Sequence, residues 1–120
     1  MEKKAKRAKK LVFLNAPILT SYGEFRFEKL SLPDARKLVA EFAADGEREI
    51  QSAIGHAATA EIMTELLGYQ VETNRIEFFQ TERDEALIFR LNRRPAEGVV
   101  LTREQIEEVG YELGILKKSK

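Results

Sequence analysis

The apolar positions of this chain recur with two periods, and these predict strands alternating with helices. Residues 11–14 (LVFL) form a short apolar run bounded by polar residues, which is typical of a buried strand. Residues 86–89 (ALIF) are apolar without alternation, which predicts a central strand covered on both faces. Residues 24–30 alternate, with Phe25 and Phe27 on one face, and predict a half-exposed strand in a hairpin with a neighbour.

Helical spacing and capping residues predict three helices. A capping box at residues 31–34, with proline in the first turn, opens a helix that runs to about residue 44. Residues 57–67 carry apolar side chains at four-residue spacing, and Gly68 follows as a left-handed cap. A second capping box, at residues 102–105, opens the last helix.

The remaining segments complete an α/β pattern. Residues 48–54 are predicted as a strand or extended lead into the helix at residue 57, and residues 75–79 as a strand. Residues 111–116 either add a strand to the sheet or cover it. We therefore expect a single α/β domain, with a mixed central β-sheet flanked by helices.

Composition excludes several kinds of site. The 120 residues suffice for one domain with a modest core. The chain has no cysteine and a single histidine, which excludes disulfides and thiol catalysis and makes a zinc site a poor hypothesis. No apolar run approaches a membrane span, and no signal-peptide core follows the basic start. We expect a soluble, cytoplasmic protein, in the host cytoplasm if the chain is viral, with no membrane partner and no cofactor.

Charge divides the chain into two parts. Six basic side chains and one acidic side chain give residues 1–10 a charge of +5, and the net charge of zero leaves −5 for residues 11–120. Residues 1–10 are predicted as a flexible basic tail, solvated rather than a nucleic-acid arm, and residues 11–120 as the domain. An acidic body disfavours binding of long nucleic acid, which requires neutralising many phosphates.

The only histidine, His56, lies at the predicted start of the second helix. Unpaired N–H groups and the helix dipole favour an anion there, and Gly55 lets a ligand approach the backbone closely. Thr59 adds a hydroxyl group in the first turn of this predicted helix. An imidazole beside a phosphate-sized space suits phosphodiester chemistry, although a lone histidine at a helix start is more often a capping or solvent-facing residue.

A second polar stretch, residues 92–98 (NRRPAEG), follows the predicted central strand. Ligands of open α/β sheets bind where strands end. Arg94 precedes proline, which favours an extended backbone, and its planar fork suits a phosphate. Glu97 is a candidate base or orienting group. Arginine and glutamate in a loop are more often solvent-facing residues without a catalytic role. Asn15, after the first strand, is likewise either a ligand contact or a turn former.

Taken together, these stretches resemble the viral anti-CRISPR ring nucleases of type III systems. The resemblance rests on residues 53–56 (AIGH), 74–75 (NR), 84–88 (DEALI) and 94–98 (RPAEG), in that order, and it extends from Leu11 to about Val109. No single motif is specific, whereas the ordered set is.

The resemblance implies a homodimer that binds cyclic tetra-adenylate at its two-fold axis and cleaves it without metal. The family's catalytic residues fall on His56, Arg94 and Glu97, and its ligand-binding residues fall on Asn15, Gly55, Thr59 and Arg75. The chain departs from the family at Pro17–Ile18 and at Ala58, where polar or hydroxyl side chains are expected.

Two alternative functions belong to classes of protein other than ring nucleases. One is a non-catalytic module that binds a cyclic nucleotide, or a nucleic acid, without cutting it. The departures in the first loop and at Ala58 leave room for it. The other is a small DNA-binding regulator that uses the basic segment at residues 1–10. Turnover separates the enzyme from the first alternative, and salt-dependent affinity for long duplex separates it from the second.

Overall fold

A mixed sheet forms the centre of the computed structural model, which describes residues 8–93 and 101–120. Along the chain its elements are β1 (Lys10–Leu14), β2 (Phe25–Leu30), α1 (Leu32–Ala44), β3 (Glu49–Ser52), α2 (Ala57–Leu67), β4 (Asp84–Leu91), α3 (Arg103–Val109) and β5 (Tyr111–Lys118). The sheet has five strands in the order β2-β5-β4-β1-β3. The predicted fold class, one α/β domain with a mixed sheet flanked by helices, is confirmed.

The sheet is parallel on one side and antiparallel on the other. β1 lies between β3 and β4 and pairs with both in parallel, whereas β5 runs antiparallel to β4 and to the edge strand β2. Parallel strands need crossover connections, and α1 and α2 each lie in one of these connections. Of the two alternatives for residues 111–116, the structure shows the first: they belong to β5 and add a strand to the sheet.

The inner strands are apolar on both faces because both faces of the sheet carry a hydrophobic cluster. On β1, Leu11 and Phe13 belong to the larger cluster, beneath the helices, while Val12 and Leu14 belong to the smaller cluster on the opposite face. All four side chains are at most 5% exposed. Residues 86–89 of β4 divide between the two clusters in the same way, which confirms the predicted central strand.

The helices pack on one face of the sheet. Phe42 of α1, Leu66 of α2 and Ile106 of α3 all belong to the larger cluster. The predicted ends are confirmed for α2, where Gly68 adopts φ +67° as a left-handed cap, and for α3, where Thr102 begins a reciprocal capping box. No helix within the described ranges is long and apolar enough to cross a membrane.

The opposite face is covered by irregular chain rather than by helices. Phe78, in the segment between α2 and β4, packs against the smaller cluster together with Phe25. The buried Gln80 fixes this segment to the sheet, because its side-chain amide nitrogen, Nε2, donates to the carbonyl oxygens of Asp84 and Leu116. Phe27 on the edge strand remains 53% exposed on this face.

Two sequence predictions about strands are wrong. Residues 75–79 form no strand, because they cross the sheet face as irregular chain. The alternating segment at residues 24–30 is a strand, but its partner is β5 at the far end of the chain and not a neighbour in a hairpin.

The start of the domain also differs from the predicted boundary. Ala8 is 5% exposed and belongs to the larger cluster, and Lys10 is already part of β1. The last residues of the predicted tail therefore belong to the fold, while residues 1–7 lie outside the described residues.

Candidate functional site

Three parallel strands, β3, β1 and β4, end at the same edge of the sheet, and the predicted site residues follow them in sequence. Asn15 comes directly after β1, His56 follows β3 by four residues, and Asn92 begins the polar stretch after β4. Because β1 pairs in parallel with both neighbours, these three connections start from one side of the sheet. This edge is where open α/β sheets bind ligands.

His56 is the N-cap residue of α2, but its side chain does not cap the helix. Its backbone is extended (φ −124°, ψ +126°), its carbonyl oxygen accepts from the N–H of Ala60 (3.1 Å), and the residue is exposed. The first turn of α2 contains no acidic side chain. The histidine thus lies at a helix N-terminus whose positive end no acidic side chain of the first turn offsets, which favours an anionic ligand.

Arg75 packs against the peptide that precedes His56. Its Nη2 donates to the carbonyl oxygen of Gly55 (3.3 Å), and a Cβ atom on Gly55 would lie 3.3 Å from the Arg75 Nε. The missing side chain of Gly55 therefore allows the close approach of Arg75, and its backbone is not left-handed. The structure thus places Arg75 against Gly55, and His56 is the next residue along the chain.

Hydrogen bonds tie the junction between β3 and α2 to the segment after α2. Ser52 Oγ donates to the carbonyl oxygen of Glu72 and accepts from the N–H of Ile54 (3.1 Å). The backbone N–H of Asn74 donates to the carbonyl oxygen of Ile54 (2.7 Å), and its Nδ2 donates to that of Ser52 (2.8 Å). Thr73 forms an isolated parallel bridge with Ile54. These bonds fix the chain on both sides of the Gly55–Arg75 contact.

Two further residues were predicted to contact the ligand, Thr59 and Asn15. Thr59 is half-buried in the first turn of α2, next to the half-buried Ala58. Asn15 is exposed at the end of β1, and the loop that it begins presents Ile18 and Leu19, which are 51% and 65% exposed. This loop is held at its far side, where Thr20 Oγ1 accepts from the N–H of Gln80.

Arg94 and Glu97, the other two predicted catalytic residues, lie outside the described residues. The structure describes the chain on either side of them. Before the segment, the N–H of Asn92 donates to the carbonyl oxygen of Gly110 (2.9 Å). After it, Thr102 caps α3. Both ends of the segment that carries Arg94 and Glu97 are therefore attached to the sheet and its helices.

A groove of about 350 Å³ begins beside His56 and follows α2, but its charge does not suit a nucleotide. Ala57 lies at its near end, and Glu61, Glu65 and Glu72 line it. Carboxylates repel phosphate groups. The groove is therefore a poor site for a phosphate ligand.

No signal in the sequence indicated that Ser52 belongs to this site, and Asn74 was identified only as part of the stretch that carries the family resemblance. Both residue types favour hydrogen bonds to nearby backbone, which is a signal for a turn. Here their bonds join residues about twenty positions apart, from Ser52 to Glu72 and from Asn74 to Ser52. That pairing follows from the path of the chain around α2 and not from the local sequence.

Residues 11–113 match the sequence pattern of a family described as STIV B116-like. The match runs from β1 into the first residues of β5 and includes the edge described above. The chain belongs to the STIV B116-like family.

Proteins similar to this chain come from viruses and from a bacterium. The chain is 36% identical over 106 residues to ORF117 of Acidianus two-tailed virus, covering 88% of this chain and 87% of the relative. It is 32% identical over 108 residues to YddF of Bacillus subtilis (strain 168), covering 90% and 96%. The solved structure of B116 of Sulfolobus turreted icosahedral virus superposes with a TM-score of 0.76 at 28% identity, covering 90% and 98%. The fold described here is thus shared along nearly the whole chain.

Proposed function

We propose that this STIV B116-like protein is a metal-independent ring nuclease that binds cyclic tetra-adenylate between two copies of the chain. It cleaves the ring to linear di-adenylates that end in a 2′,3′-cyclic phosphate. This activity removes the signal that switches on the ancillary effectors of type III CRISPR systems.

One observation supports the proposal: at the junction between β3 and α2, an arginine guanidinium is bonded to the residue that directly precedes an exposed histidine. His56 occupies the N-cap without capping, and Arg75 is held on Gly55, the residue before it. Helix N–H groups and Arg75 attract a phosphate, while His56 remains available for proton transfer. Ser, Thr, Asp and Asn stabilise a helix N-terminus better than histidine does, so an N-cap with only a structural role would favour one of them.

The proposed chemistry uses the nucleophile that RNA carries. The ribose 2′-oxygen attacks the adjacent phosphorus, the P–O5′ bond breaks, and His56 gives a proton to the departing O5′. Histidine suits this step since imidazoles exchange protons near neutral pH. Arg94 stabilises the charge on the phosphoryl oxygens. Glu97 either accepts the proton of the 2′-hydroxyl or orients the imidazole, in which case that proton passes to water; the two roles remain alternatives.

The size and symmetry of the ligand support a site between two copies. Pockets for drug-sized ligands measure about 300–1,000 Å³, and a ring of four nucleotides is larger than such ligands. The groove beside His56 measures about 350 Å³ and is acidic. A two-fold dimer presents His56 twice, on opposite sides of a ring that itself has two-fold symmetry.

The proposal is tested by incubating the protein with cyclic oligoadenylates of different ring sizes, in large excess over protein, and resolving the products. We expect many rings of the four-membered ligand to be cut per chain, and the products to be mainly di-adenylates with a 2′,3′-cyclic phosphate. Products that end in a 3′-hydroxyl would contradict the proposed attack by the 2′-oxygen.

The same experiment decides between catalysis and a non-catalytic binding module. Ala58, in the first turn of α2, provides no hydroxyl to the ligand, and this favours weaker positioning of the ring. A binding module would protect one ring per site from other nucleases and release it intact. Stoichiometric protection of the ring without any product would therefore show that the protein is a binding module and not a nuclease.

A further inference from the structure

The chain contains a hydrogen-bonded tie that no step of the proposed reaction uses. It joins Ser52, the last residue of β3, to the segment at residues 72–74 that follows α2. Ser52 Oγ makes two of its bonds, one to the carbonyl oxygen of Glu72 and one from the N–H of Ile54. Asn74 makes the other two, through its backbone N–H and its Nδ2.

The tie joins the chain just before His56 to the chain just before Arg75. His56 follows Ile54 by two residues, and Arg75 directly follows Asn74. The His56 side chain makes no capping bond of its own, so the orientation of this junction depends on bonds made by its neighbours. The contact from Arg75 to Gly55 is long, at 3.3 Å, and the residue is exposed, so this contact alone orients the guanidinium group weakly.

We infer that Ser52 and Asn74 are positioning residues, which hold the imidazole of His56 and the guanidinium of Arg75 in one fixed relation. Neither residue contacts the ligand in this account. Their kinetic effect rests on the proposed function, because it is expressed in cleavage of the ring. Their effect on the orientation of His56 does not rest on it.

The first test compares Ser52→Ala with Ser52→Thr. Alanine removes both bonds of the hydroxyl, whereas threonine keeps the oxygen on a β-branched side chain that strands favour. Small misplacements of reacting groups cost up to about 100-fold in rate, so we expect kcat for cyclic tetra-adenylate to fall about tenfold or more in Ser52→Ala. We expect KM to change little and Ser52→Thr to restore kcat.

Thr64→Ala is the matched control for a merely structural role. Thr64 Oγ1 also ties α2 to the following segment, since it donates to the carbonyl oxygen of Ala60 and accepts from the N–H of Val71. These bonds lie two turns from His56. If the ties act only through stability, Thr64→Ala and Ser52→Ala will lower kcat alike, and the inference is wrong. We expect Thr64→Ala to lower the free energy of unfolding and to leave kcat unchanged.

A second readout does not require activity. Because the chain has one histidine, NMR relaxation of the single imidazole reports on His56 alone. We expect faster and larger ring motion in Ser52→Ala, a return to wild-type motion in Ser52→Thr, and unchanged amide protection in β1 and β4. Unchanged ring motion in Ser52→Ala would overturn the inference whether or not the wild type cleaves the ring.

Asn74→Ala extends the test if Ser52→Ala does not fold. It removes only the bond from Nδ2 to the carbonyl oxygen of Ser52 and keeps the backbone bond to Ile54. We expect the same direction of change in imidazole motion, with a smaller amplitude. A wild-type protein that fails to cut the ring would contradict the proposed function, while the imidazole motion of these variants would still decide the positioning role.

Discussion

At the scale of single residues, the proposed cleavage depends most on His56. Its backbone begins α2 and its side chain is left out of the capping, so the structure gives the imidazole no stabilising role at the helix end. We expect His56→Ala to lower the cleavage rate by about 100-fold or more, the usual effect of losing a general acid. Affinity for cyclic tetra-adenylate, measured by calorimetry, should change little. A variant that cuts at nearly the wild-type rate would remove His56 from the chemistry.

Gly55 offers a second test at this scale, because its missing side chain makes room for Arg75. A Cβ at residue 55 would meet the Arg75 Nε at 3.3 Å, whereas a Cβ on Gly46 would meet nothing within 4 Å. We expect Gly55→Ala to shift the guanidinium and weaken ligand binding about tenfold, equivalent to losing one charge-assisted hydrogen bond of about 1.5 kcal/mol.

The matched control is Gly46→Ala. Both glycines lie outside helices and strands, and neither has a positive φ that would penalise alanine. Binding is compared in the His56→Ala background, so that cleavage does not deplete the ligand. Equal affinity of Gly55→Ala and Gly46→Ala would show that Arg75 does not hold the ring from its position on Gly55.

At the scale of elements, the sequence predicts best where one local signal is sufficient. The apolar runs identify β1 and β4 because both strands are covered on both sides. The four-residue spacing and Gly68 identify α2, and with it the position of His56 at the helix start. The position of residues 55–56 directly before α2 was therefore predictable from local pattern.

The elements that were missed depend on contacts between distant parts of the chain. Ile76 and Phe78 alternate as in a strand, yet Phe78 packs on the smaller cluster from irregular chain, and Gln80 is fixed by the carbonyl oxygen of Leu116. The pairing of β2 with β5 joins residues near opposite ends of the domain. Neither local spacing nor capping residues contain that information.

The capping box of α3 gives a prediction about stability at this scale. Thr102 Oγ1 accepts from the N–H of Gln105 (3.1 Å), and the Gln105 side chain accepts from the N–H of Thr102 (2.9 Å). We expect Thr102→Ala to lower the free energy of unfolding by about 1 kcal/mol, with Thr102→Ser close to wild type. Chemical denaturation measures both. Equal stability of the two variants would show that the box does not stabilise the helix that follows residues 94–100.

At the scale of the whole molecule, the proposal requires two copies of the chain. The ligand is larger than the groove beside His56, and the carboxylates of that groove disfavour phosphate. We expect light scattering to give the mass of a dimer at micromolar concentration, with activity falling as the protein is diluted below its dimerisation constant. Full activity in a monomeric protein would contradict the symmetric site.

The measurement that tests the central claim most directly follows cleavage of cyclic tetra-adenylate by the wild-type protein in excess EDTA. The chain has no cysteine and one histidine, and its described side chains include no group of three acidic or histidine residues arranged to hold a metal. The account predicts undiminished multiple turnover, with linear di-adenylates ending in a 2′,3′-cyclic phosphate. Loss of cleavage on chelation, with recovery on addition of manganese or magnesium, would contradict it.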